Sequence, residues 1–253
     1  MLSFCDPVPA KAGETLKQYK VTGSLSDESY TEGQKIPLSM YSKTEVQTLE
    51  VTLKPYRKQT TLQQIQKRGY AAAVDETDRA MLADMQRDIK KALITTLGKG
   101  TLTATGTTLV SCAANAWAVL GNQMEEYSFG DTEPVFFANP IDFAACIGKS
   151  EVFSAFGLSY IENWAGLGTL VSTGSVTAGS IFVTAKGNLK VYFIDAHEGD
   201  QGFGFYTDET GYIAIQHSAE LTDLTYDTVA WTALTPFAEY ADLVVKGTIA
   251  PEE

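Results

Sequence analysis

The segment DETDRAMLADMQRDIKKALITTL, residues 75–97, predicts one long amphipathic helix. Its apolar residues recur every three or four positions, the spacing that places them on one helix face. They are Met81, Leu82, Met85, Ile89, Leu93 and Leu97. Acidic residues fill the first turn and lysines follow, which suits the helix dipole. At about 1.5 Å per residue the helix is roughly 33 Å long, so we expect it to form the backbone of a domain.

Alternating apolar and polar residues precede this helix and predict β-strands. The alternation includes Ile36, Leu38 and Met40, and it resumes over residues 46–53. We expect two strands joined around residues 41–44 into a long hairpin with charged residues on its open face. Because a two-stranded hairpin is only marginally stable alone, it requires a surface on which to lie.

The segments on either side complete an α+β pattern. Residues 1–20 contain Pro7, Pro9 and Gly13 and predict an extended N-terminal arm. After the long helix we expect a Thr- and Gly-rich loop at 100–108, a helix at 112–127, a buried strand at 135–138 and a helix at 140–147. Glycine- and aspartate-containing turns then separate further strands. These are expected at 168–172, 180–184, 189–194, 202–207, 212–217 and 242–249.

The chain of 253 residues has a net charge of −12, and this charge is distributed unevenly. Residues 1–100 carry 15 basic and 12 acidic side chains, whereas residues 101–253 carry 4 and 19. One interpretation is a solvated face on a polarised chain. The other is a basic arm that contacts an acidic partner. If that partner is another copy of the chain, the contact is head-to-tail and builds rings or shells.

The basic residues between positions 33 and 69 outnumber the acidic ones by seven to two and are our candidates for contacts between subunits. They are Lys35, Lys43, Lys54, Arg57, Lys58, Lys67 and Arg68. Nucleic acid is a less favoured partner for this segment, because the whole chain is acidic and aromatic residues are not interleaved with the basic ones.

The sequence holds few of the residues and motifs that catalysis requires. It has two histidines, His197 and His217, and three widely separated cysteines without a CxxC pair. The polar residues at 195–200 either bind a metal ion or form a loop, and we favour the loop. No G-x-S-x-G, H-E-x-x-H or G-x-G-x-x-G motif is present. With 44% hydrophobic residues and no run of membrane-spanning length, we expect a soluble, cytosolic, globular protein that is not an enzyme and needs no cofactor.

The order of these elements resembles that of the major capsid proteins of tailed bacteriophages, the Hong-Kong-97-type fold, and of the related encapsulins. Residues 32–41 with 45–54 resemble the extended loop of that family, and residues 58–69 with 75–97 resemble the entry to its spine helix. Residues 135–142 resemble a strand and helix of the axial domain. Residues 176–183 and 242–249 resemble the later strands.

The resemblance implies a division of the chain into four parts. Residues 1–20 are then an N-terminal arm, and residues 21–69 are the extended loop (E-loop) with its flanking strands. Residues 70–133 are the peripheral domain with the spine helix at 75–97. Residues 134–253 are the axial domain and the strands that return to the peripheral domain.

The resemblance also implies a function and partners. The expected role is structural: self-assembly into hexamers and pentamers of an icosahedral or prolate phage head that encloses double-stranded DNA by weak, non-specific contact. The extended loop would lie over a neighbouring subunit. Relatives that carry their own scaffold have a long helical N-terminal extension, which the resemblance does not find here, so we expect a separate scaffolding protein unless the sequence is a processed product. A portal and a decoration protein are further expected partners. The expected location of the protein is the virion, which is assembled in the cytoplasm of a host bacterium, and no membrane is an expected partner.

Two alternatives remain open from the sequence. The first is an encapsulin-like shell that holds a cargo protein. The second is a β-rich hydrolase or carbohydrate-binding domain, for which the aromatic residues are the best support. Trp117, Trp164 and Trp231 are more economically explained as core or interface residues.

Overall fold

The structure, a computed structural model, describes residues 2–11, 13–127, 132–147, 160–197, 202–207 and 210–250. The α-helices in these ranges are α1 (Leu62–Arg68), α2 (Glu76–Leu97), α3 (Leu109–Glu126) and α4 (Pro140–Ile147). The strands of the first half are β1 (Asp6–Pro9), β2 (Thr15–Ser24), β3 (Met40–Glu50), β4 (Lys54–Thr61) and β5 (Leu102–Gly106). The strands of the second half are β6 (Pro134–Ala138), β7 (Tyr160–Trp164), β8 (Gly168–Ser172), β9 (Ser180–Ala185), β10 (Leu189–Phe193), β11 (Tyr206–Thr207), β12 (Ile213–Glu220), β13 (Thr225–Thr232), β14 (Leu234–Ala238) and β15 (Val244–Ile249).

Helix α2 confirms the long helix that the sequence predicts. A π-helical turn at Ala71–Asp75 precedes it, and the backbone N–H of Gly98 donates to the carbonyl of Ile94 at its end. The predicted apolar face is the face that packs. Met85, Leu93 and Leu97 are buried, and the other three predicted residues are half-buried.

A six-stranded sheet separates the two main layers of the core, in the order β5-β15-β9-β6-β8-β7. Alternate residues of β6 enter opposite layers, as the period of a strand requires. Phe136 packs with α3 on one face, whereas Val135 and Phe137 pack with the C-terminal half of α2 on the other. The α+β class is therefore confirmed, with helices on both faces of a mixed sheet.

Strand β15 lies inside this sheet, parallel to β5 and antiparallel to β9. Helix α3 crosses it closely at Gly247. A Cβ atom at that position would collide with Ile181 and with the Sγ of Cys112. Glycine therefore allows the helix to approach the backbone of β15 directly.

Two further sheets belong to the body, and the three-stranded one shares a core cluster with the large sheet. The three-stranded sheet β1-β10-β14 includes part of the N-terminal arm, because β1 runs parallel to β10. The four-stranded sheet has the order β11-β12-β13-β4, with β4 at its edge. Residues 54–61, predicted to end the hairpin, thus form a strand paired with β13.

The hairpin exists, and β3 contains most of the second predicted strand, but the first predicted strand and the turn at 41–44 are wrong. The hairpin is formed by β2 and β3, an antiparallel two-stranded ribbon whose strands are joined by residues 25–39. Ile36 and Leu38, whose alternation predicts a strand, lie in this connection with their side chains exposed. Strand β2 also crosses the predicted boundary between the arm and the loop at residues 20 and 21.

Other differences are smaller. The loop predicted at 100–108 contains β5, because this segment finds a partner in the distant β15. The strand predicted at 202–207 is limited to Tyr206–Thr207. Strands β13 and β14 are absent from the prediction, since their sequences follow each other without a turn signal between them.

Candidate assembly surface

Most residues of the β2–β3 ribbon are exposed. In β2, Leu16, Gln18 and Lys20 face the body in the alternation of a half-buried strand, and every residue after Lys20 is exposed. In β3, Gln47 and Leu49 face inward, and residues 40–46 are all exposed. The ribbon therefore has a docked base and a free distal half.

A β-bulge separates these two halves. Gln18 is paired with Gln47 and Tyr19 with Glu45, so Val46 is an extra residue in β3 without a partner in β2. A bulge bends the strand that carries it. The ribbon therefore changes direction where it leaves the body.

The free half of the ribbon and its connection present an apolar surface. Leu25, Ile36 and Leu38 are 72%, 74% and 82% exposed. Val21, Tyr30, Met40 and Tyr41 are also exposed. Several large apolar side chains exposed on one segment make this segment a candidate for contact with another protein.

Asp242 anchors the ribbon at the boundary between its two halves. Its Oδ2 accepts from the Nζ of Lys20 at 2.5 Å and from the hydroxyl of Tyr127 at 2.8 Å. Its Oδ1 accepts from the hydroxyl of Thr101 at 2.9 Å. The side chain of Gln18 adds a hydrogen bond to the carbonyl of Glu239. Lys20, the last inward-facing residue of β2, is thus held by the Asp242 carboxylate, which accepts hydrogen bonds from three donors.

These contacts shift the acid–base equilibria of the anchor. The hydrogen bond from Lys20 lowers the pKa of Asp242, against the effect of burial, and those from Tyr127 and Thr101 lower it further. The hydrogen bond to Asp242 raises the pKa of Lys20. Burial raises the pKa of the Tyr127 phenol. All three groups therefore keep their paired protonation states near neutral pH.

Replacement of Asp242 by asparagine should loosen the ribbon without unfolding the body. The Lys20–Asp242 pair is about one-third exposed, and measured pairs of this kind contribute about 0.2–1 kcal/mol. Amide exchange in residues 19–24 and 40–45 should therefore increase by roughly 1.4-fold to fivefold. Hydrogen–deuterium exchange measures this increase. The control is Asp88→Asn, which removes an exposed partner of Lys91 on α2. Equal exchange of the ribbon in both variants would contradict the anchor.

The structure divides the seven basic candidates into two groups. Lys35 lies in the ribbon connection and Lys43 in β3, where its Nζ is 4.1 Å from the centre of the Tyr19 ring. The other five, Lys54, Arg57, Lys58, Lys67 and Arg68, lie in β4 and α1. Residues 15–50, which hold the ribbon, contain four basic and five acidic residues. The prediction of a basic hairpin is therefore wrong: the positive charge lies mainly on β4 and α1.

Two of these residues form ion pairs within the chain. Arg57 contacts Asp227 on the neighbouring strand β13 at 2.5 Å. Lys58 contacts Asp78 at the start of α2, also at 2.5 Å, and Asp78 accepts a second hydrogen bond from His217 Nε2 at 2.8 Å. Asp78 is buried, which raises its pKa, but the hydrogen bonds from Lys58 and His217 outweigh this effect and the net shift is downward. This carboxylate joins α2 to β4 and β12.

Sequence reasoning did not identify Asp78 or Asp242 as organising residues. The donors to Asp242 from Lys20 and to Asp78 from His217 are 222 and 139 residues away in sequence. Such contacts leave no local pattern. The one local signal is the position of Asp78 in the first turn of a helix, where an acidic residue is expected in any case.

Within the described residues, the remaining polar candidates form no group that could hold a metal ion. His197 hydrogen-bonds its neighbour Asp195, and residues 198–200 of the predicted metal-or-loop segment lie outside the described residues. Burial raises the pKa of Cys5 to about 12 and that of Cys112 to about 11. No group of three or more potential metal ligands occurs among the described residues. Within the same ranges, no helix has the length and apolarity needed to cross a bilayer.

The tryptophans divide between the core and the surface. Trp164 and Trp231 are buried, as predicted for core residues. Trp117 on α3 is 47% exposed. The prediction of core or interface positions is thus confirmed for two of them, and an interface role for Trp117 stays a prediction.

No protein-family model matches the sequence, and no curated protein matches it significantly. Solved structures are similar in three dimensions. The capsid of cyanophage P-SCSP1u has a TM-score of 0.65 at 9% identity, covering 98% of this chain and 87% of that one. A chain of Gordonia phage Cozz has a TM-score of 0.66 at 11% identity, covering 99% and 86%. The SrpI encapsulin of Synechococcus elongatus has a TM-score of 0.63 at 13% identity, covering 99% and 86%. The chain therefore has the fold shared by the Hong-Kong-97-type capsid proteins and the encapsulins.

Proposed function

We propose that this chain is the structural subunit of a protein shell, the major capsid protein of a bacteriophage head. In this proposal it assembles with itself into hexamers and pentamers around double-stranded DNA. The observation that carries the proposal is the free half of the β2–β3 ribbon with its exposed apolar connection. An isolated two-stranded ribbon is marginally stable in water, and a neighbouring copy provides the surface it lacks.

The physical basis of this contact differs from the one expected from the sequence. The ribbon carries nearly balanced charge, so attraction between a basic hairpin and an acidic body is not its main driving force. Burial of a leucine or isoleucine side chain contributes about 1.5–3 kcal/mol, whereas an exposed ion pair contributes about 0–1 kcal/mol. Residues such as Leu25, Ile36 and Leu38 therefore dominate the proposed contact.

Expression of the chain alone and with its neighbouring genes, followed by negative-stain microscopy, tests the proposal. We expect closed particles tens of nanometres across, or rings of five or six subunits that close when a scaffolding protein is supplied. A chain that stays monomeric under both conditions would contradict the proposal. Such a result would favour the small β-rich hydrolase or carbohydrate-binding alternative.

An encapsulin-like compartment is the second candidate, because the SrpI encapsulin is about as similar in fold as the phage structures. The contents of purified particles distinguish the two roles. Nuclease-protected double-stranded DNA supports a phage head, and a co-purifying protein cargo supports a compartment.

The remaining parts of the proposal concern partners and place. A separate scaffolding protein, a portal and a decoration protein are the proposed partners, and the virion, assembled in the cytoplasm of the host bacterium, is the proposed place. The proposal assigns the chain no enzymatic activity. The net charge of −12 suits weak contact with packaged DNA, since like charges repel.

A further inference from the structure

An open groove lies beside the C-terminal half of α3, which packs on the face of the large sheet opposite α2. Its volume is about 1160 Å³, and residues of α3 and of the turn between β7 and β8 line it. Trp117, Met124 and Leu167 supply much of its apolar surface. We call this feature the α3 groove.

Helix α3 presents a short stripe to the groove. Trp117, Gly121 and Met124 follow one another at intervals of four and three residues, so they share one helix face. Trp117 is 47% exposed, and tryptophan is enriched at the centres of protein contacts. At about 1.5 Å per residue the stripe is roughly 10 Å long, the length of two helical turns.

Gly121 keeps the middle of this stripe open. Glycine is less favourable than alanine inside a helix. A Cβ atom at position 121 would have no atom within 4 Å apart from the neighbouring backbone of its own helix. The described packing of the subunit therefore gives no steric reason for a glycine here. A larger side chain at this position would instead extend into the groove.

The opposite side of the groove is built with backbone strain. Ala165, in the turn between β7 and β8, has a φ of 52°, a left-handed conformation that alanine adopts at a cost. The turn is closed by the N–H of Leu167, which donates to the carbonyl of Trp164 at 2.9 Å. Strained residues of this kind are concentrated at ligand clamps and other functional sites.

Acidic side chains border the groove without basic partners. Glu125 and Glu126 lie in the last turn of α3, where the helix dipole disfavours negative charge. Neither of them forms an ion pair with any described residue. Glu133 also lines the groove, and none of the described residues that line it is basic. Cations supplied by a partner would offset this charge.

This combination fits a basic amphipathic helix of another protein. Its lysines or arginines would face the glutamates, and its apolar residues would cover Trp117 and Met124. Nucleic acid does not fit, because acidic side chains repel phosphates. The basic helix α1 of a second copy fits less well. Its only apolar residues are Leu62 and Ile65, and Ile65 is half-buried in its own subunit.

We infer that the α3 groove is a docking site for a basic amphipathic helical segment of a protein other than this chain. The inference goes beyond the proposed shell function, because a subunit that never forms shells can bind such a segment. Its tests therefore measure binding to the full chain in solution and do not require closed shells.

The first test compares two peptide probes. One is a fluorescein-labelled 14-residue peptide of leucine and lysine, with a leucine at every third or fourth position. The control peptide carries glutamate in place of each lysine. By fluorescence anisotropy we expect the lysine peptide to bind about tenfold more tightly or better, and its binding to weaken as salt screens the charges. A lysine peptide that does not bind, or binds no better than the control, would overturn the inference.

Variants of the chain locate the bound peptide. Gly121→Arg places bulk and positive charge in the groove and should weaken binding by about tenfold or more, whereas Gly121→Ala should bind within about twofold of the wild type. Both should melt about 2–4 °C higher, because each removes a glycine from a helix, so lost binding would not reflect unfolding. Glu125→Gln/Glu126→Gln should weaken binding by about threefold or more. Its matched control, Asp84→Asn/Asp88→Asn, removes two exposed carboxylates from α2 and should bind as the wild type does. Equal binding by the two Gly121 variants would place the peptide elsewhere and overturn the inference.

Acrylamide quenching distinguishes the other possible occupants. The difference in fluorescence between the wild type and Trp117→Phe isolates the signal of Trp117. We expect this signal to be quenched in the free chain and protected by the lysine peptide. A Trp117 that acrylamide does not reach in the free chain would show that the chain fills its own groove. Loss of self-association in Gly121→Arg would assign the groove to a second copy. Either result would overturn the inference and leave the proposed function intact.

Discussion

A chain in which an Asn-Gly turn replaces residues 22–42 is expected to fold normally and to form no shells. Val21 lies directly opposite Lys43 in the ribbon, so a two-residue turn can join these positions. Lys20 and its anchor to Asp242 remain. The change removes the connection and its exposed apolar side chains, Leu25, Ile36 and Leu38 among them. Loss of the proposed contact should therefore leave soluble subunits.

Light scattering coupled to size exclusion, with negative-stain microscopy, measures this loss, and thermal unfolding checks the fold. A finer variant, Leu25→Ser/Ile36→Ser/Leu38→Ser, keeps the length of the ribbon and should also fail to assemble. Its matched control is Gln34→Ala, which changes an exposed polar residue in the same connection and should assemble. Closed shells from the shortened chain would refute the role of the ribbon.

Replacement of Asp78 by alanine should destabilise the subunit by about 3–5 kcal/mol, because it leaves the partly buried Lys58 without its counter-ion. The side chains of Asp78 and Lys58 are 10% and 21% exposed, so water compensates poorly for the loss. His217 loses its acceptor in the same change. Denaturant unfolding gives the free energy. The control is Asp84→Ala, which removes an exposed partner of Arg87 and should cost no more than about 1 kcal/mol.

The Asp78 carboxylate also makes the stability of the subunit depend on pH, in a direction that its pKa shift defines. Its pKa is lowered in the folded chain, so its contribution to stability is complete above the pKa of the unfolded state, about 4. It is lost as the pH falls through the lower pKa of the folded state. Wild-type stability should therefore decrease below about pH 4 more steeply than that of Asp78→Asn. Parallel stability curves for the two proteins would show that Asp78 does not contribute.

Elements with their own periodicity could be predicted from the sequence, and elements defined by a distant partner could not. Helix α2 can be predicted because Met85, Leu93 and Leu97 are spaced by multiples of four residues, which places them on one helix face. Strand β4 does not, because residues 54–61 become a strand only by pairing with β13, some 170 residues later. The charge pattern shows that residues 33–69 are rich in basic side chains. It does not show where the ribbon ends, so it wrongly places this positive charge on the ribbon and not on β4 and α1.

The candidate site shows the same limit. Apolar alternation at Ile36, Leu38 and Met40 predicts burial within the chain, but these side chains are exposed in the subunit. In sequence, apolar residues that would be buried against another subunit give the same pattern as apolar residues buried within their own subunit. The anchor at Asp242 depends on tertiary proximity alone.

The position of β15 has a consequence for the synthesis of the protein. Val244–Ile249 lies between β5 and β9, strands made about 140 and 60 residues earlier. Until β15 has been synthesised, β5 has no partner strand on this side and the face of α3 over Gly247 is uncovered. The large sheet is completed only when β15 has emerged. The body of the subunit is therefore unfinished until residue 249 has emerged, although most of its strands are already present.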